Sequence, residues 1–286
     1  MQYLRQFWFG LKIYGQAFQF IFRHHLYWYF IIPAFLMLGI YSLGEFIQSH
    51  RPSYNLDTLN DIVWYSLQLL IEISVALLLM KFAKYLVVVL LSPLLSHLSQ
   101  HCEKILTGKK YPFSIKQLWA DIQRSMRIVV RNLMWEYFFF LIIFIVSALG
   151  WDDPLKSPIF YLTYVIGFYY YGFSFLDYSN ERRKLDVDNS IIFIRKYRGL
   201  TMTIGTVYSL LILLPVDLGI MFGFTDMPSH DLWHLGQFFL QFALWLLAAI
   251  APIWAIVAAT IAMYELNGIE LKDEDIVEPL SLPEAE

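Results

Sequence analysis

Two acidic residues interrupt long apolar runs of this sequence, and each could serve an ion. Glu72 lies in the run 62–80, and Gln68 precedes it by one helical turn on the same face. A carboxylate is costly in an apolar environment, so it either lines a polar pathway or pairs with another helix. Asp217 follows Pro215, which frees a backbone carbonyl. The acid and that carbonyl could together hold a cation, or Asp217 could simply lie at a membrane surface.

A basic, imidazole-rich cluster, Arg23-His24-His25, precedes the first long apolar run. Its cationic and hydrogen-bonding groups could attract an anion, or the side chains could merely extend to a membrane–water interface. His97 and His101 are four residues apart, which is a spacing that metal ligands use. Two ligands do not make a metal site, so we predict no metal.

The triplet Leu176-Asp177-Tyr178 marks the abrupt end of an apolar, aromatic run. We expect Asp177 and Tyr178 to cap and end a helix at the membrane surface. Cationic residues follow, three of them before a short amphipathic segment, 188–198, and three at its end. We expect them to fix the orientation of the chain and, secondarily, to contact anionic lipid headgroups. They are Arg182, Arg183, Lys184, Arg195, Lys196 and Arg198.

The common signatures of catalysis are absent from the sequence. There is no Gly-x-x-x-x-Gly-Lys phosphate loop, no His-Glu-x-x-His and no Gly-x-Ser-x-Gly. The single cysteine, Cys102, excludes an intrachain disulfide framework. The net charge of −3 gives no reason to expect a nucleic-acid partner. We therefore predict neither an enzyme nor a bound cofactor.

The elements that must position these residues belong to a chain that is too apolar for a soluble domain. Of its 286 residues, 58% are hydrophobic and 16% are charged, against about 45–50% and about 25% in soluble domains. Lipid must therefore solvate much of the surface. We predict an all-α, polytopic integral membrane protein with about six membrane helices: four clear spans and a central helical hairpin. The membrane segments are 26–44, 62–91, 133–150, 159–177, 200–224 and 233–264, in one membrane domain, 1–268, followed by an acidic, disordered cytoplasmic tail, 269–286.

Finer details follow from the pattern within these segments. Polar residues recur on one face of 3–23, which predicts an amphipathic helix, either in the membrane interface or packed on other helices. Pro33 is expected to bend the first span. One uninterrupted helix is expected from the capping sequence at Ser114 to Gly150. The hairpin around 151–158 either crosses the membrane or is re-entrant.

The distribution of cationic residues predicts the orientation in the membrane. Nineteen of the 21 Lys and Arg residues fall on one side of the predicted topology, and only Arg51 and Lys156 fall on the other. Because cationic residues gather on the cytoplasmic side, both termini are predicted to be cytoplasmic.

The order of these features resembles that of the CysZ-like proteins, bacterial relatives of the etoposide-induced membrane proteins of eukaryotes. The resemblance covers roughly residues 8–265. It includes an amphipathic helix that feeds the apolar hairpin, and its short motifs are Phe30-Ile31-Ile32-Pro33, Ser92-Pro93-Leu94-Leu95, Phe175-Leu176-Asp177-Tyr178 and Ala251-Pro252. It implies an inner-membrane protein that forms homo-oligomers. In the bacterial branch it also implies passage of sulfate and a central hairpin that only partly penetrates the membrane.

The chain departs from that branch a few residues before Pro33, the proline of the first span. Where the sulfate-transporting branch has paired arginines, this chain has Tyr27 and Trp28, which cannot neutralise a dianion. Arg23, His24 and His25 lie one turn earlier and could substitute. Two functions stay open: a passive transporter or channel for a small inorganic anion such as sulfate, and a non-transporting membrane scaffold or lipid-binding protein. In the first, the residues of the ion pathway would be Glu72, Gln68, Asp217 and the cluster 23–25.

Overall fold

The structure is a computed structural model that describes residues 2–49, 88–108, 115–182, 185–214, 216–217, 220–221 and 232–276. Within these ranges every regular element is a helix, so the all-α prediction is confirmed for them. The α-helices are α1 Gln2–Arg23, α2 Ile31–Ser49, α3 Ser92–Thr107, α4 Ile115–Gly150, α5 Leu162–Arg182, α6 Val187–Lys196, α7 Arg198–Ile212 and α8 Leu232–Ile276. Short 3₁₀-helices occupy Leu26–Phe30, Pro154–Lys156 and Pro158–Tyr161. Most of the predicted second span, 62–91, lies outside the described residues.

Helix α1 covers the predicted amphipathic segment and packs on α7 and α8 through one face. That face is made of small and apolar residues: Gly10, Ile13, Tyr14, Ala17 and Ile21. The Tyr14 hydroxyl donates to the Ile204 carbonyl at 2.9 Å. A second stripe, with Leu4, Trp8, Phe18 and Phe22, stays largely exposed. Helix α1 is thus packed on protein along one face and leaves an aromatic stripe outside that packing.

Pro33 does not lie in the interior of an α-helix. The segment Leu26–Phe30 is a 3₁₀-helix and α2 begins at Ile31, so Pro33 lies in the first turn of α2. Backbone N–H groups in a first turn have no intrahelical partner, and a proline there removes no hydrogen bond.

Helices α4 and α5 form the predicted hairpin. Helix α4 is continuous over 36 residues, which is about 54 Å of helix. The Ser157 side chain accepts a hydrogen bond from the Ile159 N–H and starts the return segment. Only 17% of the most apolar window of α4 is buried. Most of this arm therefore faces away from the rest of the described protein.

Helix α7 lies at the centre of the packing and contacts α5, α1 and α8. Its closest neighbour is α5, which it meets at two glycines. A Cβ atom added to Gly205 would collide with the Phe168 carbonyl, and one added to Gly172 would collide with the Thr201 carbonyl. The two backbones can touch only because neither residue has a side chain.

The apolar run 200–224, predicted as the fifth span, is not one helix. Helix α7 ends at Ile212, and residues 216–217 have no regular structure. The break comes directly before Pro215. A proline disfavours the helical conformation in the residue that precedes it, which accounts for the position of the break. The 15 residues of α7 give about 22 Å of helix, which is less than the roughly 30 Å of a bilayer core.

Helix α8 is longer than predicted. It contains Pro252 and continues to Ile276, so the first part of the predicted disordered tail, 269–286, is helical. The next proline after Pro252 is Pro279. A helix that is already formed propagates at little cost until such a residue stops it. Small residues around and after Pro252 are buried: Ala251, Ala255, Ala258, Ala259 and Ala262.

Three helical stretches in the described ranges are long and apolar enough to cross a membrane: Ile122–Gly150, Pro158–Asn180 and Leu235–Leu266. A shorter apolar helical stretch, Leu26–Gly39, belongs to the predicted first span.

Candidate functional site

Polar side chains line the contact between α4 and α5 from the Asp177 end of the hairpin toward its interior. On α4, Arg124, Asn132 and Glu136 recur at multiples of four residues, so they share one face. On α5, Asp177 and Ser174 lie opposite them, because the two helices are antiparallel arms of a hairpin. We call these five residues the polar seam.

A buried ion pair forms one end of the polar seam. The Arg124 guanidinium binds the Asp177 carboxylate in a bidentate manner, with Nε to Oδ2 at 3.0 Å and Nη2 to Oδ1 at 3.1 Å. The side chains are 17% and 6% exposed, respectively. The two parallel hydrogen bonds fix the relative position of α4 and α5, since a guanidinium and a carboxylate match in only a few orientations.

The same ion pair holds the chain that follows α5. The Ser190 hydroxyl on α6 donates to Asp177 Oδ1 at 2.6 Å, and Asn180 Nδ2 donates to the Ser190 hydroxyl at 2.9 Å. Arg124 Nη1 donates to the Leu185 carbonyl at 2.9 Å. Three elements therefore converge on one carboxylate.

Asp177 does not end its helix, contrary to the sequence prediction. Helix α5 continues through Asp177 and Tyr178 to Arg182, and both residues are only 4% exposed. The ion pair with Arg124 compensates the burial of the carboxylate, so the helix need not stop where the polar residues begin. Leu176 is fully buried in the hydrophobic core.

The middle of the polar seam is formed by an amide and a hydroxyl. Asn132 is fully buried, and its Nδ2 donates to the Tyr170 carbonyl at 3.3 Å and to the Ser174 hydroxyl at 3.4 Å. The Ser174 hydroxyl donates to the same carbonyl at 3.2 Å.

The inner end of the polar seam holds a buried carboxylic acid. Glu136 is 5% exposed and lies inside the candidate span Ile122–Gly150. A Cβ atom at Gly167 would lie 3.1 Å from Glu136 Oε1, so the glycine leaves room for the acid. A carboxyl group at this depth is costly and marks a functional candidate.

A small cavity opens beside Asp177. Its walls are mostly apolar, and Ser174 and Asp177 provide its polar surface; the lining residues are Val88, Ile128, Val129, Ser174, Asp177 and Tyr178. The space is no larger than one water molecule needs.

The predicted cluster Arg23-His24-His25 lies in the turn between α1 and the first 3₁₀-helix. Arg23 is exposed, and the His24 ring lies 4.5 Å from the Phe20 ring. His25 has a positive φ of 56° and its ring meets Tyr27 edge-on at 5.9 Å. The three side chains do not converge on the polar seam through any contact in the described ranges.

His97 and His101 lie on α3, next to this turn. The Tyr29 and His97 rings are 6.1 Å apart. Burial lowers the pKa of His101, and the positive charges of His97, Lys104 and His24 lower it further. Among the described residues no three His, Cys, Asp or Glu side chains are grouped as metal ligands.

Asp217 follows the end of α7 and is exposed. Its Oδ1 accepts a hydrogen bond from the Ile220 N–H at 3.2 Å, and its own N–H donates to Gln241 Oε1 at 2.8 Å. These contacts start a new turn and tie it to α8. The cation-binding role of Asp217 stays a prediction.

The basic residues after α5 are only partly described. Arg195 and Arg198 are exposed, and Lys196 Nζ lies 5.3 Å from the centre of the Tyr197 ring. Arg182 ends α5, whereas Arg183 and Lys184 lie outside the described residues. Gln68 and Glu72 also lie outside them.

Five residues of this site were not singled out in the sequence: Arg124, Asn132, Glu136, Ser174 and Ser190. The available signal was the recurrence of polar residues at positions 124, 132 and 136 within an otherwise apolar helical face. No local pattern identified Ser190.

Comparison with known proteins gives the family. No curated protein matches the chain. Residues 13–222, about three quarters of the sequence, match the family described as Sulfate transporter CysZ/Etoposide-induced protein 2.4. The chain therefore belongs to the Sulfate transporter CysZ/Etoposide-induced protein 2.4 family, as its sequence motifs predicted.

Proposed function

We propose that this protein is a passive transporter or channel for a small inorganic anion such as sulfate. The family match over residues 13–222 carries the proposal, since the family description includes a sulfate transporter. The protein works without catalytic chemistry and without a cofactor. This role agrees with the three apolar helices long enough to cross a membrane.

The proposed setting is the bacterial inner membrane, with six membrane segments and both termini in the cytoplasm. Three segments correspond to the stretches Ile122–Gly150, Pro158–Asn180 and Leu235–Leu266. The other three are the apolar runs 26–44, 62–91 and 200–224, the last of which is divided near Pro215. The clustering of cations on one side of this topology supports the orientation.

We propose that the anion approaches from the cytoplasmic side past Arg23, His24 and His25, and that Glu72 and Gln68 face its path. The two arms of the hairpin are held in register by the polar seam. The protein acts as a homo-oligomer, for which the outward apolar face of α4 supplies a surface that lipid or another copy can cover.

A non-transporting scaffold or lipid-binding protein of the same fold is the second candidate. The specific observation in its favour is Tyr27 and Trp28 at the positions of the paired arginines. Arg124 also cannot readily replace that pair, because Asp177 already neutralises its charge.

Flux through the purified protein in liposomes separates the two functions. We expect uptake of radiolabelled sulfate or of chloride along its gradient, and a loss of several-fold in Arg23→Gln. Arg127 is an exposed arginine on α4, a different helix from the one that leads to this cluster. Arg127→Gln is therefore the control and should transport normally. Absence of flux at every pH and ionic strength would contradict the transporter and favour the scaffold.

A further inference from the structure

Three arginines from three different helices gather around one tyrosine. The guanidinium groups of Arg131 on α4, Arg195 on α6 and Arg198 at the start of α7 all lie within electrostatic reach of the Tyr169 hydroxyl. The charges of Arg131 and Arg195 also reach the hydroxyl of the neighbouring Tyr170. The Tyr169 and Tyr170 rings are 5.5 Å apart and meet edge-on. We call these five residues the arginine–tyrosine cluster.

Arg131 is held in place but retains an unused donor. Its Nη2 donates to Asn132 Oδ1 at 3.2 Å, and its guanidinium lies 4.7 Å above the centre of the Phe173 ring. Its Nη1 is buried and has no hydrogen-bond partner in the described part of the chain. A buried donor without an acceptor is costly, so an acceptor supplied by a ligand would stabilise this arrangement.

The cluster keeps a net positive charge after its neighbours are counted. The negative charges of two carboxylates, Asp177 and Asp188, also reach the Arg131 guanidinium. Asp177 already accepts the bidentate contact of Arg124 and the Ser190 hydroxyl. Asp188 is an exposed residue in the first turn of α6. The Glu136 charge also reaches Tyr170. Three guanidinium groups therefore face at most two carboxylates, Asp188 and Glu136, that these contacts do not engage.

The surroundings of the cluster are those of a lipid rather than of a soluble ion. Arg131 lies in the candidate span Ile122–Gly150, at the level of Tyr170, toward the Asp177 end of the hairpin. Large apolar side chains beside it on α4 are exposed, with Met134 at 67% and Trp135 at 50%. Ile192 on α6, between Asp188 and Arg195, is 64% exposed. A ligand with an anionic head and apolar chains satisfies both kinds of surface.

We propose that the arginine–tyrosine cluster binds the phosphate group of an anionic membrane lipid. The arginines provide fork-shaped donors that match phosphate oxygens, and the two tyrosine hydroxyls are additional donors. The acyl chains lie along the exposed apolar residues of α4. This site does not depend on anion transport, because lipid binding can be measured without any flux.

Lipid titration of the full-length protein tests the site. In detergent micelles, native mass spectrometry would follow binding of phosphatidic acid, with phosphatidylcholine as the neutral-headgroup comparison and inorganic phosphate as the soluble comparison. We expect phosphatidic acid to bind more tightly than either. Arg131→Gln should weaken its binding about fivefold, and the double variant Arg195→Gln/Arg198→Gln should weaken it about 25-fold, since each cation near lipid contributes about a factor of five.

Lys156→Gln is the control, because Lys156 is an exposed cation at the hairpin tip, separated from the cluster by the length of α4 from Arg131 to Gly150, and its loss should leave binding within twofold. The double variant changes only exposed side chains, so it decides the question if Arg131→Gln fails to fold. Unchanged affinity in the double variant would overturn the proposal. Equal affinity for inorganic phosphate and phosphatidic acid would overturn the lipid assignment, and equal affinity for phosphatidylcholine would overturn the phosphate assignment.

Discussion

Asp177 shows how one carboxylate can join three helices. It accepts hydrogen bonds from Arg124 on α4 and Ser190 on α6, and it is 4% exposed on α5. Removing one member of such a buried pair leaves the other charge without compensation. Loss of the Asp177 side chain should therefore cost more stability if it acts through the ion pair than if it acted as a helix cap.

We expect Asp177→Asn to destabilise the protein by about 3 kcal/mol, because Arg124 would stay partly buried without a counter-charge. A helix cap would account for only about 1 kcal/mol. Denaturant unfolding in detergent, followed by tryptophan fluorescence, measures the difference. Asp152→Asn at the exposed hairpin tip is the control and should change stability by less than about 0.5 kcal/mol. A loss equal to that of the control would contradict the role of the ion pair.

His101 predicts a pH dependence. Burial, and then the charges of His97, Lys104 and His24, hold its folded-state pKa below the unfolded value of about 6.5. Below that pH the unfolded chain binds the proton more readily, so stability falls as the pH drops from about 6.5. We expect the melting temperature of the native protein to fall between pH 7.5 and pH 5, and to fall less in His101→Gln. Thr107→Ser, which changes no titrating group on the same helix, should leave the slope as it is. An identical slope in the native protein and His101→Gln would rule out this contribution.

Residue types were readable from the sequence, but their partners were not. The Leu176-Asp177-Tyr178 motif was recognisable, whereas Arg124 is 53 positions away and belongs to a different helix. Such a pairing depends on the way the hairpin closes, which periodicity within either helix does not contain. The apolar context of Asp177 therefore suggested a helix end instead of a buried pair.

At the scale of the helices, the contact between α5 and α7 depends on two missing side chains. We expect Gly205→Ala to cost at least about 3 kcal/mol, because its methyl group would collide with the Phe168 backbone and push the helices apart. Thermal unfolding in detergent measures this. Gly15→Ala on α1 is the control: a Cβ there meets nothing within 4 Å, and alanine should be neutral or stabilise the helix by up to about 1 kcal/mol. If both variants melted alike, close backbone packing would not be what holds α5 against α7.

Helix periodicity and composition were enough to predict the α1 segment, the long helix α4 and the hairpin turn. Helix boundaries near prolines were less predictable, because the effect of a proline depends on its position in the helix. Pro33 was expected to bend a span but lies in a first turn, and Pro215 was expected inside a span but adjoins the end of α7. The effect of a proline depends on where the helix begins, and neighbouring helices decide that. The acidic composition of 269–286 predicts disorder, but composition does not show that a preceding helix can continue into the segment, as α8 does to Ile276.

At the scale of the whole molecule, the fold separates a packed core from an apolar exterior. Helix α7 packs on α1, α5 and α8, and α8 also packs on α3; most of the buried residues of these helices form one hydrophobic cluster. The hairpin extends from that core with α4 largely uncovered. This distribution among the described residues supports the proposal that lipid or further copies of the chain surround the hairpin.

Cysteine accessibility in intact cells most directly tests the membrane topology on which the proposed function rests. On a Cys102→Ser background, single cysteines would replace Arg51, Arg183 and Glu286 and react with a membrane-impermeant maleimide. We predict labelling of position 51 from outside the inner membrane, and labelling of positions 183 and 286 only after the cells are opened, because the cations mark the cytoplasmic side. Labelling of positions 183 and 286 from opposite sides of the membrane would contradict the topology.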